Sequence, residues 1–289
     1  MRAVELTLAD QRLFLLEERL SADDMQARAL EKRTSAVAGG LGGLLQRPKA
    51  EDVTLVAAQR RVEPFWHVSG RARYEYRRQR SYSVPAAGHE VRSVTVLGSD
   101  FTVGPAQKTG PGTFELPVRE HCVEELRREH FIDGRTGQPV ADGAAAINGP
   151  SRELADTAEL AADETVVVAP EQRASFVVRS LIQELTKAVQ ADELLEEAVA
   201  LETADLYYRP IWAFQFAWAG RDRSGVVEID AITGAVRQSN ALLPQIKGMV
   251  TNKEAWFDIG VDTVELFVPG GNIALKVARV VVDQSRKRR

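Results

Sequence analysis

The residues with the strongest capacity for chemistry are Glu120-His121-Cys122-Val123-Glu124-Glu125, with His130 and Asp133 downstream. A thiol, imidazoles and carboxylates this close are the ingredients of a metal site or of a Cys/His nucleophile pair. The spacing argues against both. On a helix His121 and Glu125 share a face, but the adjacent His121 and Cys122 point about 100° apart and do not converge on one ion. The segment is expected to be an amphipathic surface helix, Cys122 and Leu126 inward and the charges in water. His67 and His89 have no acid or nucleophile partner nearby in sequence. Gly104-Pro105-Ala106-Gln107-Lys108-Thr109 has the outline of a phosphate loop, yet Gln107 stands where a backbone cradle needs glycine. Lys108-Thr109-Gly110 lacks an S-x-x-K nucleophile to work with. No catalytic residue, metal ligand or cofactor is assigned, and the chain is expected not to be an enzyme.

Charge is more informative. Arg60, Arg61, Arg71, Arg73, Arg77, Arg78 and Arg80 fall within twenty-one residues, against Glu63 and Glu75, with Tyr74, Tyr76 and Tyr82 interleaved. A later stretch holds Glu184, Asp192, Glu193, Glu196, Glu197, Glu202 and Asp205 against Lys187. Three uses fit. The charges are solvated faces; the basic and acidic stretches complement each other within or between chains; or the arginines and tyrosines bind single-stranded nucleic acid. The whole chain is acidic, net −4 with pI near 5.7, which disfavours a nucleic-acid coat protein.

Positioning these residues needs a core, and 289 residues with 44% hydrophobic and 27% charged side chains can build one. One cysteine excludes an internal disulfide framework. From Trp66 the chain alternates: Trp66, Val68, Gly70, Ala72, Tyr74 and Tyr76 on one face, His67, Ser69, Arg71, Arg73 and Glu75 on the other. That period predicts a strand with one wet face. Trp212, Phe214, Phe216 and Trp218 line one face of a second strand whose other face is also poor in charge, so it is expected to be central. Helical spacing marks Ala22–Leu45 and Ser175–Leu195. Ser151–Leu154 has the look of a short helix start.

The chain also resembles itself. Residues 51–66, EDVTLVAAQRRVEPFW, match residues 197–212, EAVALETADLYYRPIW, at a constant offset of 146, ending in Pro-x-Trp in both. An I-D-x-x-T-G turn occurs at Ile132–Gly137 and again at Ile229–Gly234, but with an offset of 97, so it is taken as a reused turn outside the repeat. The expected fold is therefore α+β: two tandem duplicated modules, each a helix packed on an antiparallel sheet, over residues 1–138 and 139–240. A hydrophobic C-terminal arm and basic tail occupy 241–289.

Residues 211–237, with Val227, Ile229, Asp230, Ala231, Thr233, Gly234 and Val236 in a V-x-I-D-A-x-T-G-x-V hairpin, resemble the end of a PepSY-type module. The resemblance covers about thirty residues. It implies a small α+β unit, often used as a regulatory or inhibitory module beside peptidases.

The arm carries Trp256, Phe257 and Phe267, then Ile273, Val277 and Val281 at helical spacing before Arg286-Lys287-Arg288-Arg289. It is expected to pack on the second module or to dock a partner, with peripheral membrane contact as an alternative. Met1–Asp10 has no apolar run of the kind a secretory signal needs, and no run approaches the ~20 residues of a membrane span. Cytoplasmic location is expected. A binding or assembly protein, contacting protein partners or copies of itself, is the function these features favour. Nucleic-acid binding through residues 60–80 is the alternative.

Overall fold

The computed structural model describes residues 5–38, 48–105, 111–161, 165–239 and 276–279. In chain order the elements are β1 (Glu5–Leu8), β2 (Gln11–Leu16), α1 (Ala22–Ala38), β3 (Val53–Pro85), β4 (Ser93–Val96), β5 (Ser99–Thr102), β6 (Thr113–Asp133), α2 (Gly143–Ile147), β7 (Ser151–Leu154), β8 (Val166–Val167), α3 (Ala174–Leu185), β9 (Glu193–Trp218), β10 (Ser224–Asp230), β11 (Val236–Ser239) and β12 (Lys276–Arg279).

The α+β expectation is overturned. Of the described residues 53% are in strands and 19% in helices, and a single ten-stranded mixed sheet runs through both halves of the chain. Two tandem modules would each have a sheet of their own. Here β3 and β9, which contain the two similar segments, pair antiparallel with each other from Val53↔Trp218 to Arg77↔Glu193. Glu63 and Arg209, which correspond at the offset of 146, lie directly opposite one another. The sequence similarity thus reflects a local two-fold relation inside one sheet.

That relation explains the second offset. Asp133 faces Phe65 across β3–β6, and Asp230 faces Ile211 across β10–β9; Phe65 and Ile211 correspond in the repeat. The I-D-x-x-T-G turns therefore occupy equivalent places, contrary to the sequence expectation. Their hydrogen bonds match. Asp133 Oδ1 accepts from the Arg135 and Thr136 amides, and Asp230 Oδ1 from those of Ile232 and Thr233. Gly134 N–H donates to Pro64 O, and Ala231 N–H to Pro210 O. Gly137 and Gly234 have φ of 71° and 73°, a conformation that glycine adopts without steric cost. The offset drops from 146 to 97 because the β3–β6 hairpin is far longer than the β9–β10 hairpin.

Both larger helices cover one face of the sheet. On α3, Val177, Val178, Leu181 and Leu185 pack against Trp66, Val68, Ala72, Tyr74, Leu201 and Leu206. On α1, Met25, Ala29, Ala36 and Val37 pack against Phe214, Phe216, Trp218, Val227 and Ile229. The face of β9 that bears Leu206 also bears Phe214, since both are even-numbered and the strand alternates. Ser21 starts α1 with a reciprocal cap: its Oγ accepts the Asp24 N–H and donates to the Asp24 carboxylate. On the opposite face a smaller cluster of Leu16, Phe65, Ala146, Tyr207 and Ile232 sits beneath α2, with Phe14 and Phe65 stacked on Tyr207 at 4.9 and 5.5 Å.

Several local expectations also change. The Glu120–Glu125 segment is β6 strand and not helix, because β6 pairs without a register break along twenty-one residues of β3. Ser151–Leu154 is β7, paired antiparallel with β2. The second helix stops at Leu185, and Glu193 already belongs to β9. Lys276–Arg279, expected as helix, is β12, parallel to β1 through Leu6↔Val277. Trp256, Phe257, Phe267, Ile273 and Val281 lie outside the described residues.

Candidate interaction surface

The candidate surface consists of the part of the β6–β3–β9 face opposite α1 and α3 that lies beyond α2, called the helix-free face below, and the outer edge of β6. Pleating sorts the seven arginines onto different faces. Arg71, Arg73 and Arg77 project from the helix-free face. Arg78 and Arg80 lie on the other face, where β3 has run past the end of β9 and pairs only with β6. Arg60 and Arg61 sit near the local two-fold, largely covered.

Six of the seven are neutralised within the chain. Arg60 binds Glu18 at 2.6 Å and Thr165 Oγ1 at 2.7 Å; Arg61 contacts Glu63 at 2.6 Å and Glu228 at 2.9 Å. Arg71 pairs with Glu202 at 3.3 Å and Arg77 with Glu193 at 3.2 Å. Arg73 reaches Glu196, Glu75 and Glu125 at 3.1–3.3 Å, which holds its pKa above the ordinary arginine value, the Glu196 hydrogen bond contributing most. Arg78 binds Glu120 at 2.5 Å, and Tyr82 donates to the same carboxylate. Those hydrogen bonds, Tyr82 first, pull Glu120 below the usual carboxylate range. Glu193, Glu196 and Glu202 of β9, noted in the sequence, are thus partners of these arginines across the sheet. Among the described residues Arg80 has no ion pair.

The Glu120–Glu125 cluster is taken apart by the same pleating. His121 points to the helix-free side and accepts from Arg77 Nε at 3.3 Å; Cys122 points the other way, packed against the core. His130 lies 3.3 Å from Glu184 of α3, and Asp133 caps its turn. No group of three His, Cys, Asp or Glu able to hold a metal occurs among the described residues.

Three buried polar groups have partners that the sequence did not point to. His67 is buried, with Nε2 at 2.8 Å from Glu129 Oε1 and its ring stacked 4.6 Å from Phe131. Asp205, 1% exposed, takes a two-point hydrogen bond from Arg12 at 3.0 and 2.8 Å; burial raises its pKa, and Arg12 pulls it partly back. Arg209 joins Asp142 at 2.9 Å and Asp230 at 3.2 Å. The available signal was Asp205 and Arg209 standing in the otherwise apolar run Ala204–Trp212, since a charge on a covered strand requires a partner.

The edge of β6 is the open feature. Gly134 donates to Pro64, so even-numbered residues of β6 bond to β3. Odd-numbered residues turn N–H and C=O outward, as Phe131 O and Asp133 N–H show by bonding Val140 and Gln138. From Glu115 to Glu129 no backbone group of the described residues meets these outward groups; β6 pairs with β3 alone. Pro117, with no N–H to offer, falls at an outward position, which blunts the edge at one end. Arg119, His121, Val123, Glu125, Arg127 and Glu129 remain, an edge about 34 Å long at ~3.4 Å per residue.

Comparison of the chain with protein-family models, with curated proteins and with solved structures gives no match.

Proposed function

We propose that this chain is a non-enzymatic binding and assembly protein whose docking surface is the outer edge of β6 with the helix-free face beside it. The observation that carries the proposal is the run of outward backbone groups from Arg119 to Glu129. A sheet edge of this length is a template onto which another strand adds, main-chain bonds giving affinity and flanking side chains selecting the partner. The long β3–β6 hairpin supports it. Beyond Arg77 it is a two-stranded ribbon, and such ribbons are marginal in water unless something packs on them. The ion pairs of Arg60, Arg61, Arg71, Arg73, Arg77 and Arg78 engage guanidiniums that phosphate would need, so protein is the proposed ligand in preference to nucleic acid. The C-terminal arm is proposed to contribute to the same docking. No helix among the described residues is long and apolar enough to cross a membrane. The proposed setting is the cytoplasm, where the lone Cys122 stays reduced. The PepSY-like hairpin at 211–237 suits a regulatory role of this kind.

Pull-down of the tagged chain from nuclease-treated native lysate, followed by mass spectrometry, tests the class of ligand. A stoichiometric protein that survives nuclease supports docking; nucleic acid as the sole companion, lost on nuclease treatment, contradicts it.

A further inference from the structure

We infer that the occupant of the β6 edge is the β6 edge of a second copy of this chain, running antiparallel about a two-fold axis at Glu124. The inference rests on reading that edge as a protein-docking surface and names the partner.

Register and charge select this pairing. In an antiparallel self-pairing, outward residues must meet outward residues, so paired positions are both odd or both even. With the axis at Glu124, Arg119 meets Glu129 of the second copy and Glu120 meets Arg128, while Cys122 meets Leu126. Each of these contacts occurs twice. Moving the axis one residue to Val123 sets Arg119 against Arg127, a like-charge pair that weakens the ladder. The axis at Glu124 brings two carboxylates together, but each already has Lys187 and the Tyr76 hydroxyl beside it. Arg119 has no ion pair among the described residues and is exposed, whereas Glu129, Glu120 and Arg128 would share their present partners His67, Arg78 and Glu184 with the second copy. The edge between Pro117 and Phe131 has the length such a ladder needs. Its ends are closed, by the missing N–H of Pro117 at one and by the Phe131–Val140 bond at the other. Joining two copies this way continues one ten-stranded sheet into the next and covers the β6 edge of each.

Val123 is the test position. It lies next to the axis with its N–H outward, and the residue is 54% exposed, so Val123→Pro deletes one outward donor in each copy while leaving the bonds to β3 and the core intact. Light scattering should give twice 31.8 kDa for the wild type at tens of micromolar and 31.8 kDa for Val123→Pro, with unchanged far-ultraviolet circular dichroism. A second variant guards against a folding defect. Leu126→Cys places a thiol opposite Cys122 of the other copy, in a non-hydrogen-bonded pair whose Cα separation of about 4.5 Å suits a disulfide. Mild oxidation with diamide should give a covalent dimer with Leu126→Cys and none with the wild type. A monomeric wild type, or a Val123→Pro protein that stays dimeric, overturns the inference. So does a monomer whose β6 amides are protected by a different captured protein, and that result would leave the docking proposal standing.

Discussion

Replacing Arg12 by alanine should destabilise the protein in a way that depends on pH with a definite sign. The Asp205 side chain is 2% exposed and held by two hydrogen bonds from Arg12, whose own side chain is 45% exposed. Removing one member of a fully buried pair costs about 3–5 kcal/mol, because the remaining charge is left without compensation. Water reaches Arg12, so about 2–4 kcal/mol is the expected loss at pH 7. At roughly 2 °C per kcal/mol for a chain of this size, Tm should fall by about 4–8 °C. Asp205 has a folded-state pKa above its ordinary 3.8, burial being the largest cause, so its ionisation opposes folding. The contribution it makes when protonated is fully present below the unfolded value and is lost as pH rises through the folded one. Arg12 offsets part of that loss; without Arg12 the folded pKa climbs further and the loss grows. The gap in Tm between wild type and Arg12→Ala, followed by circular dichroism, should therefore be small at pH 4 and widen towards pH 7. Adding Asp205→Asn to Arg12→Ala should remove the pH dependence of the gap. A gap that is constant across this range, or below about 0.5 kcal/mol at pH 7, would refute the reasoning.

Two further outcomes follow from the turns and the tyrosines. Asp230, 3% exposed, caps its turn and pairs with Arg209, whereas Asp133 caps the equivalent turn from a more open position. Asp230→Ala should cost about 2–4 kcal/mol and Asp133→Ala about 1 kcal/mol in urea denaturation, and equal costs would show that the turns do not differ in this way. Burial pushes Tyr207 up to about 12 and raises Tyr208 and Tyr74 as well. These raised values mean that tyrosinate forms more readily in the unfolded chain, so stability should fall above pH 10. Absorbance at 295 nm should show these rings ionising only together with unfolding, and free titration at pH 10 in the folded protein would contradict that.

Much of the sheet was legible where alternation is strict. Trp66 to Tyr76 reads as a strand because small and aromatic residues fall on every second position, and those positions are the ones α3 covers. The aromatic row Trp212–Trp218 marked β9 as central, and β9 indeed has partners on both sides. Glu120–Glu125 was not legible. Its charges break the period of two, and what holds it extended is pairing with β3, a long-range contact that local pattern does not carry. The layout failed for a related reason. The match of Pro64–Trp66 with Pro210–Trp212 says that two segments are alike, yet not that they lie against each other; that requires the register centred on Glu63 and Arg209. The ion partners were hidden because Arg73 and Glu196, or His67 and Glu129, are neighbours only across strands. The open edge of β6 emerges only once the parity of its hydrogen bonds is fixed by Gly134 and Val140.

Residue-resolved amide exchange along β6 tests the central claim most directly. Even-numbered amides from Leu116 to Ile132 should exchange slowly at every concentration, since β3 holds them. The amides of Arg119, His121, Val123, Glu125, Arg127 and Glu129 should exchange quickly in dilute protein and become protected as concentration rises. Odd-numbered amides that stay fast at high concentration, and remain fast with every captured protein added, would contradict the account.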